Sequence, residues 1–328
     1  MTAAIIWLRR DLRLSDNPAL SQAVDAGYTP IPLYIENDLE TVWTEGAASR
    51  WWLHHSLSSL RHSLQQCGSD LLLLQGNPAD LLPRIVRQFE ATAVYWNRRY
   101  DKTAIDQDTG LKQTLVKNGI EVKSFNASLL LEPWQHLKKD QTPYRVFTPF
   151  WKALSQRLND SWPLAAPDTL PALPASTMQQ SAQLQTLGLL PAIPWDEDFY
   201  SHWQPGEAGA RAHLQDFVED CLLNYSSGRD YPSQAATSRL SPHLHFGEIS
   251  PRQIWTFLRE QSAMQPSLET ATDSYLRQLG WREFAYHLLF HFPETPEQPL
   301  NARFNAFPWR ENYDQDLNSW QRGQTGIP

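Results

Sequence analysis

Cysteine is nearly missing from this sequence: Cys67 and Cys221 are the two in 328 residues, and no Cys-x-x-Cys pair occurs. A disulfide framework and a cysteine zinc site are thereby excluded, and no other metal site is indicated. Long apolar runs are missing too. The longest purely aliphatic stretch is residues 71–74, against the ~20 residues that a bilayer crossing needs. Residues 3–8 lead straight into Arg9-Arg10-Asp11, leaving no room for the apolar core of a signal peptide, so a cytoplasmic protein is expected. Positive charge is in deficit, with 28 Lys and Arg against 36 Asp and Glu for a net charge of -8. No lysine follows Lys152, so every later cation is an arginine. That balance argues against a polybasic nucleic-acid binder. Any contact with DNA would run through a local arginine patch, which favours bidentate and stacked contacts over diffuse attraction. Neither G-x-G-x-x-G nor G-x-x-x-x-G-K-S/T follows the first apolar run, which disfavours a nicotinamide dehydrogenase and a P-loop NTPase.

What is present is ample core material, 41% hydrophobic and 20% charged, in a length that suggests about two domains. Up to about residue 125 the pattern alternates strand and helix. Residues 3–8, 29–34, 71–74, 93–96 and 121–125 read as short buried strands. Between them, Leu53, Leu57, Leu60 and Leu64 make one apolar helical stripe, and Leu81, Leu82, Ile85, Val86 and Phe89 a second. The second stripe opens on Asn77 as N-cap and Pro78 at the first helical position. Ile105, Leu111, Leu115 and Val116 form a third, stopped by Asn118-Gly119. Five strands alternating with helices predict an α/β doubly wound parallel sheet, Rossmann-like in plan, over residues 1–130. Its ligands are expected at the carboxyl ends of the strands.

Residues 131–205 are rich in proline and small polar residues and read as a long linker with one short helix near residues 151–158. From 206 to 328 the pattern is helical, with helices expected over 208–223, 251–261 and 274–290. Two Ser-Pro steps, at Ser241 and Ser250, each look like an N-cap followed by proline. The hydroxyls and amides of Thr237, Ser238 and Ser241, with Arg239 among them, would suit a phosphate or pyrophosphate; ordinary capping of two successive helices explains them equally. Tryptophan is abundant, 14 in all. Most are expected in cores, and a cluster beside polar motifs suits stacking on planar ligands.

Six stretches in order carry a resemblance. They are Trp7-Leu-Arg9-Arg10-Asp11-Leu-Arg13-Leu-Ser-Asp16-Asn17, Tyr144-Arg-Val-Phe147-Thr-Pro-Phe150, Thr237-Ser-Arg-Leu-Ser-Pro242, Gly280-Trp281-Arg282-Glu283-Phe284, Phe307-Pro308-Trp309 and Trp320-Gln-Arg-Gly-Gln-Thr-Gly326. Together they resemble the photolyase and cryptochrome family, most of all bacterial class I cyclobutane pyrimidine dimer photolyases. The resemblance implies an α/β antenna domain, a linker and an all-α FAD-binding domain, here ending before the family's pattern does. It implies light-driven DNA repair by a lyase using FAD, with damaged DNA carrying a flipped dimer as partner, no membrane, and a monomer. Carried over position by position, Tyr225, Thr237, Ser238, Arg239, Leu240, Ser241, Tyr275, Gln278 and Arg282 match flavin-binding residues. Arg229 matches a DNA-phosphate contact, Trp281 the tryptophan under the flipped dimer, and Trp309 the outer member of an electron-transfer chain. Composition alone makes Trp309 a packed corner and Trp281 a core residue.

Gln278 stands where dimer photolyases usually have glutamate, and glutamine there is more typical of (6-4) photolyases and animal cryptochromes. Thr103-Ala104 replaces an Asn-Glu pair of members with a folate antenna, so an antenna chromophore of folate or deazaflavin type has no support in the motifs. Three alternatives to dimer repair follow: a cryptochrome-type photoreceptor, a (6-4) photolyase, or an inactive fragment. The 328-residue chain is expected to hold FAD weakly and not to repair dimers by itself.

Overall fold

The computed structural model describes residues 2–37, 44–158, 163–308 and 310–326. By packing they divide into two compact units, Met1–His291 and Phe292–Pro328. The first unit opens with β1 (Ala3–Leu8), α1 (Pro18–Asp25), β2 (Thr29–Glu36), α2 (Ala47–Gln66), β3 (Leu72–Gln75), α3 (Pro78–Gln88), β4 (Ala93–Asn97), α4 (Lys102–Lys117) and β5 (Glu121–Phe125). The five strands make one parallel sheet in the order β3-β2-β1-β4-β5, so the topological switch point lies between β1 and β4.

Both faces of this sheet are covered, which is why its strands read as unbroken apolar runs. Ile6, Leu8, Leu73 and Tyr95 pack with α1 and α2 on one face. Ile5, Trp7, Leu33, Val94 and Trp96 pack with α3 and α4 on the other. Leu53, Leu57, Leu60 and Leu64 of α2 are all buried, as the stripe predicts. Asn77 caps α3 by accepting from the Ala79 amide, with Pro78 first in the helix. In α4 the stripe is corrected by half a turn at its end: Leu111 and Leu115 are buried with Ala104, while Val116 points to solvent.

The linker helix is α5 (Phe147–Ser155), starting a turn earlier than its predicted 151–158, followed by the single turns α6 (Ala175–Met178) and α7 (Phe199–His202). Then come α8 (Glu207–Asp216), α9 (Tyr225–Gly228), α10 (Ser241–Phe246), α11 (Pro251–Met264) and α12 (Glu269–His291). The helix predicted over 208–223 is interrupted, because Phe217–Cys221 makes a π turn and Leu222–Asn224 a 3-10 turn. Such π segments are frequent at functional sites. Of the two Ser-Pro steps, Ser250 forms a full capping box with Gln253. Ser241 does not: it is the first residue of α10, whose cap position is Leu240 with no side-chain bond. The second unit holds a 3-10 turn (Ala302–Ala306) and α13 (Asp314–Gln321). Among the described residues no helix is long and apolar enough to cross a membrane.

The loop after β1 joins sheet, linker and helices of the first unit. The Arg13 guanidinium is buried and donates to the carbonyls of Ser15, Asp16, Ala127 and Gly247. Asp16, fully buried at a left-handed φ of 51°, accepts from Arg252, the Ser250 hydroxyl and the Leu164 amide. Gly247 presses on the same loop. Its φ is 68°, and a β-carbon there would lie 2.7 Å from Asp11 Cα, so both the turn and the close approach require glycine. On the far side, Glu248 accepts from the Trp52 indole at 3.0 Å and pairs with buried His243.

Candidate functional site

The predicted site residues fall into three groups in the first unit. One is an aromatic corner beside the π turn. Phe217, held inward by that turn, lies 4.7 Å from Tyr275 and 5.6 Å from Tyr225 between ring centres, and the two tyrosines are 5.2 Å apart. The Tyr275 hydroxyl and the Ser238 hydroxyl share a hydrogen bond of 2.8 Å. Burial pushes the Tyr275 phenol up to about 12, so it stays a neutral donor and acceptor. Thr237 is exposed and Leu240 buried. Arg239, at a left-handed φ of 54°, donates to the His202 carbonyl and lies 4.1 Å over the Trp203 ring. Its guanidinium therefore rests on the linker. Arg229 closes the corner, 5.6 Å over the Tyr225 ring and 3.7 Å from the Asp230 carboxylate.

The second group lies along α12. Trp281 is 45% exposed, and its indole is stacked on Phe147 at 3.6 Å with 10° between the planes. A tryptophan that offers one face while the other rests on a buried ring is a platform, and the core reading of Trp281 is set aside by that geometry. Gln278 is half-buried one turn back on the helix, between Tyr275 and Trp281. Arg282 turns away from the tyrosine corner. It donates to the Ser128 carbonyl and covers the Tyr286 ring at 4.8 Å, lining a small cleft with Arg10, Arg98 and Arg99. Glu283 is buried and accepts from the Leu130 amide at 2.8 Å. Burial pushes its carboxyl up to about 7 against the opposing pull of Arg282.

The third feature is a cleft of about 300 Å³ at the carboxyl ends of β1 and β2, where ligands of such sheets are expected. Trp7, Arg9, Arg10, Glu45, Arg50 and Arg99 line it. Burial works against the Glu45 carboxylate, but hydrogen bonds from His245 and Arg10 outweigh it and hold the group below its ordinary range. Trp309 lies outside the described residues. Sequence reasoning missed Phe217, Phe147 and Asp16 as parts of these sites. Phe147 and Asp16 stood inside quoted motifs, and only their contacts give them roles.

A family model described as DNA photolyase matches residues 4–174, and one described as the FAD binding domain of DNA photolyase matches 275–328. A deoxyribodipyrimidine photo-lyase of Agrobacterium fabrum is 43% identical over 99% of this chain and 66% of its own length. Cryptochrome-2 of Arabidopsis thaliana is 34% identical over 99% of this chain and 54% of its own. A solved bacterial class III photolyase from Agrobacterium tumefaciens superposes with a TM-score of 0.90 at 41% identity, over 98% of this chain and 66% of that one. The chain thus spans about two thirds or less of the length of these relatives. With the first model covering more than half of its residues, and the doubly wound sheet observed where that model matches, the chain belongs to the DNA photolyase family.

Proposed function

We propose that the chain carries the sheet domain and the opening helices of a light-driven, FAD-dependent enzyme that splits cyclobutane pyrimidine dimers in DNA, acting as a monomer. The observation that carries this reading is the Trp281 indole, backed by Phe147 and open on its other side. A large apolar face of that kind suits a flipped pair of pyrimidines. Arg229 supplies a cation for a phosphate of the same strand, a positioning contact without sequence information. Gln278, between platform and tyrosine corner, offers amide donors and an acceptor to base edges.

The tyrosine corner fits the phosphate-bearing, planar cofactor. Ser238 and Tyr275 present hydroxyls at hydrogen-bond distance from each other, and Tyr225 and Tyr275 are buried aromatic walls. Thr237, Arg239, Leu240 and Ser241 run past this corner, and Arg282 flanks α12. FAD, when bound, supplies the light absorption and the electron that is lent to the dimer and returned. The chain's own residues bind, orient and exclude water. Trp309 would bring electrons from the surface. The cleft at the ends of β1 and β2 is where an antenna chromophore of folate or deazaflavin type would sit.

The test is to purify the chain with FAD, desalt it, record its visible spectrum, and illuminate it with a dimer-bearing oligonucleotide beside a dark control. Dimer loss in light alone supports repair. Retained flavin without repair of either lesion supports the cryptochrome reading, which Gln278 favours; repair confined to (6-4) lesions supports that class. No retained flavin, together with no preference for dimer-bearing DNA, leaves the inactive-fragment reading standing.

A further inference from the structure

The reading of Trp281 as a lesion platform leaves open what holds an exposed indole flat. A free surface tryptophan samples several rotamers, and each lost rotamer costs entropy when a ligand stacks on it. Here the ring is held before any ligand arrives. Phe147 is 4% exposed and its ring is nearly parallel to that of Trp281. Phe147 is itself fixed by Phe284, 5.9 Å away edge-on, and lies almost parallel to Trp151 at 6.4 Å and 11°. Trp151 is braced on its other side by Trp255 at 6.2 Å.

The stack has a seat. Gly280 lies in the middle of α12, where glycine is a poor helix former and calls for a packing reason. That reason is Trp151: a β-carbon at Gly280 would lie 2.5 Å from its Cζ3 and still closer to Cε3. The bare backbone lets Trp151 settle on α12 and so places Phe147 beneath the very next residue of the helix, Trp281.

We propose that Phe147 and Gly280 are positioning residues for lesion recognition: Gly280 seats Trp151, and Phe147, set by it, holds the Trp281 indole in one orientation with one face open to a flipped dimer. The proposal rests on the lesion-binding reading above, and its test separates the two.

The chain is labelled with 5-fluorotryptophan, and the Trp281 fluorine resonance is identified by its loss in Trp281→Phe. In the unaltered chain that resonance should be single and displaced by the Phe147 ring current. In Phe147→Leu it should move and broaden. Gly280→Ala should do the same despite its better helix propensity, and adding Trp151→Phe to Gly280→Ala should restore it by making room for the methyl group. In parallel, affinities are measured for an oligonucleotide with one thymine dimer and for its undamaged counterpart. Phe147→Leu and Gly280→Ala should each lower the ratio of the two by about five-fold, part of the worth of one base stacked on an aromatic ring. Affinity for undamaged DNA should hold, and the double variant should recover the ratio. The Gly280→Ala pair carries the test if Phe147→Leu does not fold.

An unmoved resonance overturns the proposal, as does a moved resonance with an unchanged ratio. An unaltered chain with no preference for the dimer overturns the lesion reading, and the proposal with it. The fluorine spectrum then still reports whether the ring is held.

Discussion

Replacing Glu283 by glutamine should change how stability depends on pH. Glu283 is 4% exposed, accepts from the Leu130 amide and borders a cavity of about 10 Å³ with His136 and His287. Burial holds its proton up to about pH 7, against an ordinary 4.5. Below pH 4.5 the folded and unfolded chains both carry that proton. Between 4.5 and 7 the folded chain binds more protons than the unfolded one, so stability falls as pH rises across this window. At about 1.4 kcal/mol per pH unit, the loss complete above pH 7 is about 3 kcal/mol. Glutamine keeps an oxygen for the Leu130 amide and has no charge to desolvate. Glu283→Gln should therefore match the parent near pH 4 and exceed it by up to about 3 kcal/mol at pH 8. His287 works in the opposite sense. Burial holds it down to about 3, so its contribution is lost as pH falls from about 6.5, but equally in both proteins. The measurement is the difference in urea unfolding free energy at pH 4, 6 and 8. A difference that stays flat with pH, or a variant weaker at pH 8, would refute the reasoning.

Trp281→Ala should cost about 1–3 kcal/mol of affinity for dimer-bearing DNA, the usual worth of base stacking, with little change on undamaged DNA; equal losses on both would return Trp281 to a structural role. Arg229→Ala should weaken damaged and undamaged DNA by similar factors and lower the salt slope by about 1, because phosphate contacts are blind to sequence. A loss confined to lesion DNA contradicts that assignment. Asp16→Ala strips Arg252 and Ser250 of their acceptor and puts alanine at a left-handed φ, so unfolding should become easier by about 3 kcal/mol. A urea midpoint indistinguishable from the parent would show that this loop does not fasten the first unit.

The sheet was legible from end to end in the sequence. Its strands are buried on both faces, so each is a short apolar run, and the helices between them show one apolar stripe apiece. Asn77-Pro78 and Ser250-Pro251 marked their helix starts because capping is a local interaction of a few adjacent residues. Failures came where the decision was not local. The π turn at Phe217–Cys221 breaks a helix that the pattern runs straight through, and there the ring packing of Phe217, Tyr225 and Tyr275 accompanies the extra residue. Arg239 belongs to a stretch that suits a phosphate, yet a tryptophan of the linker takes its guanidinium.

What the sequence by itself determined was the α/β start, the proline-rich linker, the helical remainder and the run of motifs that carries the family resemblance. The tertiary structure alone decided what those motifs do. Arg13 and Asp16 became fasteners because their partners lie more than 100 residues away along the chain. Trp281 became a platform because Phe147 arrives beneath it from 134 positions earlier. Side chains so far apart share no local pattern, and their meeting is fixed by how the helices pack, which in turn depends on Gly280 having no side chain.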